Sequence, residues 1–268
     1  MTEFRASYLG SFWGMILRDL AVLRRGFAQF TVRTVMNPLL FVFIFTYVFP
    51  HIGQQIQAGP AGVSYATVVV PGLVAVGMVF QGISAVALPL SMELGVSREI
   101  EDRVLAPLPV ALVAVEKLVF GAVQGVVAGA VVFPLLMVIP AVPVAIHVSS
   151  WPLLVSVVLL ASLTSGALGL ALGTIVRPQQ IGLMFAVVVV PITFLGCVYY
   201  PWALLHPLPW LQALVLLNPL VYMSEGLRAA LTPDLPHMPA WTFLSALTIA
   251  TVVLGAIGVR MFIRRTIA

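Results

Sequence analysis

Long apolar runs separated by short polar connections make up most of this chain. A helix needs about 20 mostly apolar residues to cross about 30 Å of hydrocarbon. The runs that meet this length are Tyr65–Leu90, Leu118–Ile139, Trp151–Val176, Gln180–Tyr200 and Trp241–Arg260. A sixth run starts at Asn37 and Pro38, which suit a helix N-cap and first turn, although its uninterrupted apolar part is short. The pattern predicts an all-α membrane protein with six transmembrane helices.

The basic residues predict how these helices are oriented. If the N-terminus is cytoplasmic and six helices cross, all of the 13 Lys and Arg residues except Arg228 fall on the cytoplasmic side. Lys and Arg are retained on that side when a membrane protein inserts. We therefore expect a multi-pass protein of the plasma or inner membrane with both termini in the cytoplasm. Its transmembrane domain would comprise residues 34–262, followed by a cytoplasmic tail at 263–268.

A different pattern precedes the first run. Apolar side chains recur there at alternating spacings of four and three, which places them on one stripe of a helix, with Arg18 and Arg25 on another side. The stripe comprises Leu9, Trp13, Ile16, Leu20, Leu23, Phe27 and Phe30. An aromatic face backed by arginines is typical of a helix that lies in the membrane interface. Residues 1–33 are predicted to be such an interfacial amphipathic helix; the alternative is a soluble helix packed on a core.

Composition supports lipid as the main solvent. Of the 268 residues, 61% are hydrophobic and 8% are charged, whereas soluble domains carry about 25% charged residues. The net charge of +4 follows from membrane orientation, so no nucleic-acid partner is expected. The one cysteine, Cys197, cannot form an internal disulfide and is interpreted as a packed apolar thiol.

The loop at 91–117 holds the densest group of charges. Ser97 followed by acids is a helix start, because carboxylates are favoured near the positive end of the helix dipole. Pro107 and Pro109 would then end that helix. A short charged helix tied to two transmembrane helices is suited to meeting a cytoplasmic partner. Its candidate contact residues are Ser97, Arg98, Glu99, Glu101, Asp102 and Arg103.

The segment at 201–231 is apolar but repeatedly interrupted by proline. Its longest unbroken run is too short to cross a bilayer, which favours a re-entrant helical segment in the outer leaflet, between spans five and six. Asn218 and Pro219 resemble a further helix start, and Glu225 and Arg228 are spaced to pair on that helix. The candidate residues of this motif are Pro209, Asn218, Pro219, Tyr222, Glu225 and Arg228.

Two runs carry small residues at four-residue spacing. They are Gly121, Gly125 and Gly129 in one, and Ser165, Gly169 and Gly173 in the other. Such stripes let helix backbones approach closely in lipid. The contact is expected within one subunit, with a dimer interface as the alternative.

The interrupted segment carries a familiar motif. Leu208-Pro209-Trp210, followed by Asn218-Pro219-Leu220, Tyr222 and Arg228, resembles type-2 ATP-binding-cassette (ABC) exporter permeases. The resemblance implies that the charged loop is a coupling helix, although residues 98–103 lack the Gly-Thr usual in that family. It also implies two cytoplasmic ABC ATPase subunits and a second permease subunit, identical or paralogous, as partners.

Catalytic motifs are missing from the sequence. No phosphate-binding loop occurs, so ATP and Mg²⁺ would be bound by the partner ATPase, and no cofactor, metal or catalytic residue is expected in this chain. The predicted spans lack ionisable residues away from their ends, which argues against proton coupling. The family resemblance implies an exporter permease, and the apolar, aromatic spans favour a hydrophobic or amphipathic cargo such as a drug or lipid. Glycan export, an ion-coupled secondary transporter and a membrane scaffold or enzyme are the alternatives, in decreasing order.

Overall fold

The computed structural model describes residues 8–52, 64–97, 109–139 and 144–267, and the regular elements in these ranges are helices and helical turns. The helices are α1 (Tyr8–Arg25), α2 (Phe27–Val42), α3 (Tyr65–Met92), α4 (Val110–Val138), α5 (Trp151–Ile175), α6 (Pro178–Phe194), α7 (Pro209–Leu214), α8 (Pro219–Leu231) and α9 (Ala240–Ile267). Short π-helical turns extend α2 through Phe43–Val48 and α3 through Glu93–Ser97. The all-α prediction is confirmed for this part of the chain.

Five helical segments of the described residues are long and apolar enough to cross a membrane. They are Phe30–Val48, Tyr65–Gly95, Val110–Leu135, Trp151–Ile175 and Ala240–Thr266. Each corresponds to one of the predicted spans, including the short first one. Prolines stand in the first turn of α5 to α8, where the missing N–H leaves no hydrogen bond unmade.

The predicted span Gln180–Tyr200 differs from its expected form. Helix α6 begins at Pro178 but ends at Phe194, which makes it too short to count among the five. It also changes from 3₁₀ to α to π geometry along its length. Residues 196–200 follow as bends, with Cys197 at φ 50°. The run Gln180–Tyr200 is long enough to span a bilayer, but it does not form one continuous helix.

The predicted span Leu118–Ile139 starts earlier than expected. Helix α4 begins at Val110, directly after Pro109. Glu116 and Lys117, which were assigned to the loop at 91–117, therefore lie within the helix and are 0% and 5% exposed. The sequence excluded ionisable residues only away from the ends of the spans, and Glu116 and Lys117 lie within the first two turns of α4, next to the loop. A buried charge needs a partner, and the sequence pattern did not reveal which residue supplies it.

Helix α3 is the centre of the bundle. It packs against α4, α5 and α8, and α9 covers α5. Added side-chain atoms would collide where α3 meets α5, since a Cβ on Gly82 would lie 2.6 Å from the Cβ of Ser165 and one on Gly173 would lie 2.8 Å from the Cα of Ala87. A Cβ on Gly121 of α4 would similarly meet Val86 at 2.3 Å. The small-residue stripes therefore form contacts within this chain, as the first of the two interpretations expected.

The front helix is divided rather than continuous. Helices α1 and α2 meet at Gly26, so the break falls inside the predicted interfacial segment 1–33. Three residues of the predicted apolar stripe, Trp13, Leu20 and Phe27, are 60%, 49% and 61% exposed in this chain. Helix α1 contacts α4, and α2 contacts α3 and α4. The stripe is thus not buried in a soluble core, and its place in the membrane interface stays a prediction.

The two ends of the bundle differ in character. At one end, Leu94, Val110 and Phe262 pack in a single apolar cluster, and Arg265 of α9 donates a hydrogen bond to the carbonyl of Thr174 over 2.7 Å. Because Asp19, Glu93 and Lys117 also lie there, we call it the charged end. At the opposite end, residues 144–150 lie against the last turn of α8, where the Ser149 amide donates to the carbonyl of Ala230.

Candidate functional site

The interrupted segment, residues 201–231, lies at the end of the bundle opposite the charged end. A 3₁₀ turn at Trp202–Leu205 precedes α7, and a second at Val215–Leu217 connects α7 to α8. Helix α8 has 13 residues, and a helix of that length spans about 20 Å, less than the hydrocarbon core. Its residues Leu220–Leu231 are buried except for Tyr222. The predicted breaks are confirmed, while the depth of the segment in a bilayer stays a prediction.

Asn218 joins the start of α8 to the end of α6. Its side-chain oxygen accepts a hydrogen bond from the amide of Leu220 at 3.0 Å, which caps the helix as expected from the Asn-Pro pair. Its side-chain nitrogen donates to the carbonyl of Ile192 over 2.7 Å. That carbonyl is in the last turn of α6, where no further helical N–H is available to it. One side chain thus satisfies backbone groups at two helix ends.

The other predicted motif residues form the surroundings of this cap. Pro209 and Pro219 occupy the first turns of α7 and α8. The hydroxyl of Tyr222 donates to the carbonyl of Leu216 over 3.0 Å, across the turn between the two helices. These residues lie close together in the structure, and their contacts fix the path of the chain.

Glu225 and Arg228 form a buried ion pair on α8. Their side chains are 1% and 0% exposed, and Arg228 Nη1 donates to Glu225 Oε1. The same carboxylate accepts the amide of Trp202 at 2.9 Å and the amide of Met238 at 3.0 Å. Arg228 Nη2 donates to the carbonyl of Cys197 over 3.1 Å. The pair predicted from the spacing of three is therefore present, together with partners that spacing could not predict.

This ion pair holds three separate chain segments on one helix. The bend after α6, the 3₁₀ turn before α7 and the short segment before α9 each contribute one backbone group. A charge in an apolar interior is tolerated when it is paired and hydrogen-bonded. The carboxylate accepts bonds on both oxygens, so the arrangement is suited to fixing structure rather than to proton transfer. We call this ion pair and its three backbone contacts the α8 node.

The predicted ATPase-contact residues fall at the limit of what the structure describes. Ser97 ends the π-helical turn that follows α3, and Arg98, Glu99, Glu101, Asp102 and Arg103 lie outside the described residues. Just before them, a Cβ on Gly95 would lie 2.7 Å from the ring of Pro178. The chain leading into the loop therefore packs directly on the start of α6.

Sequence reasoning missed an ion pair at the charged end. Lys117 Nζ donates to Asp19 Oδ2 over 2.7 Å and lies 3.6 Å from Glu93 Oε1. Asp19 belongs to α1 and is 9% exposed, so this contact ties the front helix to α4. The rarity of these residues could have indicated the pair, since Lys117 is the one lysine of the chain and Asp19 is the one acid between Tyr8 and Ile52. Their separation of 98 residues concealed it.

A buried amide pair continues this polar region into the bundle. Gln81 of α3 donates to Gln124 of α4 over 3.0 Å, and the two residues are 3% and 5% exposed. The sequence did not predict this pair, because a single uncharged amide in an apolar run gives no indication of its partner on another helix. No group of His, Cys, Asp and Glu suited to a metal ion occurs among the described residues.

An apolar groove lies between α6, α8 and α9. Its volume is 830 Å³, and its walls include Ile192, Leu216, Tyr222, Ile249 and Val253. The side chains of Asn218 and Tyr222 at its edge already make the hydrogen bonds described above. The groove therefore offers contact to hydrocarbon rather than to a polar ligand.

These features define a class of protein: a multi-helical membrane protein with a divided front helix, a charged end and an interrupted apolar segment opposite. A family model described as "ABC-2 type transporter" matches residues 10–232, which run from α1 to the end of α8. The chain therefore belongs to the ABC-2 type transporter family, and the resemblance in the Asn-Pro motif is confirmed.

Individual relatives agree with this family. The chain is 30% identical over 206 residues to a protein of Escherichia coli strain K12 named "Inner membrane transport permease YadH", covering 75% of this chain and 77% of the relative. A protein of the same name from Shigella flexneri has the same identity and coverage. The shared region exceeds two thirds of each chain, so the similarity extends well beyond a single motif.

Proposed function

We propose that this chain is the transmembrane permease subunit of an ATP-driven exporter, working with a separate ATPase. The observation that carries the proposal is the family match over residues 10–232, which includes the front helix, the charged loop and the interrupted segment together. ATP and Mg²⁺ would be bound by two cytoplasmic ABC ATPase subunits, and a second permease subunit, identical or paralogous, would complete the complex. The inner membrane is the proposed location, by analogy with the named relatives.

The charged end is the proposed cytoplasmic surface. The basic residues of all connections except Arg228 fall on this side when six segments cross, which requires α6 with the bends after it to count as the fifth. Both chain termini would then be cytoplasmic, and the segment 201–231 would be re-entrant from the outer side. The ATPase would act on residues 97–103, and movement would reach the bundle through α3, α4 and the front helix.

Cargo of hydrophobic or amphipathic character is favoured by the groove lining. The groove between α6, α8 and α9 is apolar and its edge groups are already hydrogen-bonded. A glycan would need unsatisfied polar groups on its path, so glycan export by the same family remains the second candidate. Coupling to an ion gradient is the third candidate, because Glu116 and Lys117 are buried ionisable groups within the first two turns of α4.

Reconstitution with and without an ATPase tests the function. The permease should co-purify with an ABC ATPase subunit, and the pair should move cargo in vesicles in a vanadate-sensitive manner. Transport at an undiminished rate on an ion gradient, with no ATPase present, would overturn the proposal.

Charge reversal tests the proposed contact surface. Replacing Glu101 and Asp102 together with lysine should lower permease-stimulated ATPase activity by about tenfold, the equivalent of about 1.4 kcal/mol of lost interaction. Asp234→Lys is the matched control, because Asp234 is an exposed acid at the opposite end. Equal stimulation by both variants would place the ATPase contact elsewhere on the chain.

A further inference from the structure

A polar pocket lies between the front helix and the bundle at the charged end. Its volume is 480 Å³, within the usual range of about 300–1,000 Å³ for ligand sites. Helices α1, α2, α3 and α4 and the turn after α3 all contribute to its lining. Its polar members are Arg18, Asp19, Gln81, Ser84, Glu93, Lys117 and Gln124.

The charges of this pocket are balanced and lie at one end. Arg18 and Lys117 face Asp19 and Glu93, so the formal charges of the lining sum to zero. Lys117 and Asp19 are nearly enclosed, while Arg18 is exposed at the rim. Lys117 and Asp19 already form an ion pair at 2.7 Å, and Lys117 lies 3.6 Å from Glu93, so a ligand would join these groups as an additional partner. A group that carries one positive and one negative charge can contact both signs of this lining.

Neutral polar groups extend the lining into the bundle. From Lys117 to Gln124 is two turns of α4, about 10 Å along its axis. Between these levels lies Ser84, 0% exposed, whose hydroxyl has no hydrogen-bond partner among the described residues. A buried hydroxyl without a partner costs free energy, and this one lines the pocket. A ligand that accepts a hydrogen bond there would remove that cost.

The rest of the lining is apolar and partly open. Val22, Leu23 and Phe30 of the front helix and Phe120 of α4 share the pocket with the polar groups. Val22 at the rim is 60% exposed, and the break at Gly26 also lies on the lining. A molecule held here would have its polar part among the charges and its apolar part against the front helix.

We propose that this pocket binds the head group of a zwitterionic phospholipid, with its acyl chains leaving past the front helix. The phosphate would be bound by Lys117 and Arg18 and the amine by Asp19 and Glu93. Ser84 and the Gln81–Gln124 pair would contact the glycerol and ester region. That such a lipid is the cargo rests on the proposed exporter function; the binding itself does not.

Lipid binding to the full-length permease without its ATPase tests the inference. The purified, delipidated protein would be titrated separately with phosphatidylethanolamine, phosphatidylglycerol and dodecyltrimethylammonium, with bound ligand counted by native mass spectrometry. We expect phosphatidylethanolamine to bind about tenfold more tightly than either singly charged amphipath, which corresponds to about 1.4 kcal/mol. Equal binding of the two phospholipids, or preference for the ammonium amphipath, would overturn the zwitterion assignment.

Paired tryptophan variants locate the site. Ala85→Trp fills this pocket, and Ala250→Trp places the same side chain in the apolar groove between α6, α8 and α9. The first should weaken phosphatidylethanolamine binding at least tenfold and the second should leave it unchanged. The reverse result, or no effect of either variant, would show that the lipid does not bind in this pocket.

A milder variant keeps the test valid if Ala85→Trp does not fold. Combined Ser84→Ala and Gln124→Leu removes neutral hydrogen bonds without adding volume, and should weaken binding about fivefold, as expected for roughly 1 kcal/mol of hydrogen bonding. Unchanged affinity would contradict the proposed orientation of the head group. Because no ATPase is present in these measurements, failure of the exporter function would not alter their outcome.

Discussion

The two buried ion pairs of this protein differ in what they connect. Glu225 and Arg228 are one turn apart on α8, and their carboxylate and guanidinium hold three nearby backbone segments. Asp19 and Lys117 are 98 residues apart and join the front helix to α4. The first pair fixes the shape of one end of the bundle. The second connects two helices that are far apart in the sequence.

This difference would matter if, as proposed, a separate ATPase drives the permease. Helix α4 begins at Val110, seven residues after the last predicted coupling residue, Arg103, and the front helix contacts it through Lys117. The Asp19–Lys117 ion pair could pass a movement of α4 to the front helix only if the ion pair stays formed while α4 moves. The α8 node, by contrast, lies at the end opposite the charged end and holds three backbone segments there in place. The following variants test that division, from the largest expected effect to the smallest.

Removing Arg228 should have the largest effect on stability. Arg228→Met leaves the Glu225 carboxylate buried without its ionic partner and removes the bond to the Cys197 carbonyl. Breaking a buried ion pair on one side costs about 3–5 kcal/mol. Thermal unfolding in nanodiscs should show a large fall in midpoint, with partial recovery in Glu225→Gln/Arg228→Met. A single variant as stable as the parent protein would mean that the node is dispensable.

Removing Lys117 should be less costly and more specific. Lys117→Met removes the cation that donates to Asp19 over 2.7 Å, at about 1–3 kcal/mol for a buried group that loses a hydrogen bond. We expect the front helix to loosen, seen as faster hydrogen exchange in Tyr8–Arg25 with little change in α8. The charge-swapped protein Asp19→Lys/Lys117→Asp should restore part of the protection. Unaltered hydrogen exchange in Lys117→Met would show that the Asp19–Lys117 ion pair does not hold α1 in place.

Close packing beside the α8 node should give an effect no larger than the loss of Lys117, and it involves no change in charge. A Cβ on Gly72 of α3 would lie 2.3 Å from the carbonyl oxygen of Val198, a backbone atom that cannot rotate away. Gly72→Ala should destabilise the protein by about 1–3 kcal/mol, as overpacking does. Gly14→Ala on α1 is the matched control, since nothing lies within 4 Å of its added carbon. Equal unfolding midpoints for the two variants would show that α3 can shift away from Val198.

Local signals in the sequence predicted part of the candidate site. The Asn218-Pro219 start of α8 and the Glu225–Arg228 pair follow from preferences that act within one helical turn, and both are present. The contacts of Arg228 with Cys197 and of Glu225 with Met238 were not predictable in this way. They depend on bends that bring separate segments onto α8.

Apolar run length was a sound guide to spans but not to helix ends. The runs beginning at Tyr65 and Trp151 form helices close to the predicted bounds, because a continuous apolar run has few reasons to break. The helix predicted over Trp241–Arg260 continues to Ile267. The run from Gln180 ends at Phe194 instead, since Asn218 caps the Ile192 carbonyl and lets the backbone turn. A hydropathy pattern cannot predict a helix end that depends on a cap from another helix.

The sequence alone determined that this is a helical membrane protein of the ABC-2 type, because hydrophobic length, basic-residue placement and a local Asn-Pro motif are properties of the chain itself. Tertiary structure decided where charge can be buried. Lys117 is acceptable inside α4 only because folding brings Asp19 beside it. The energy of an ion pair depends on the distance between its groups in space, and their separation along the chain does not set that distance.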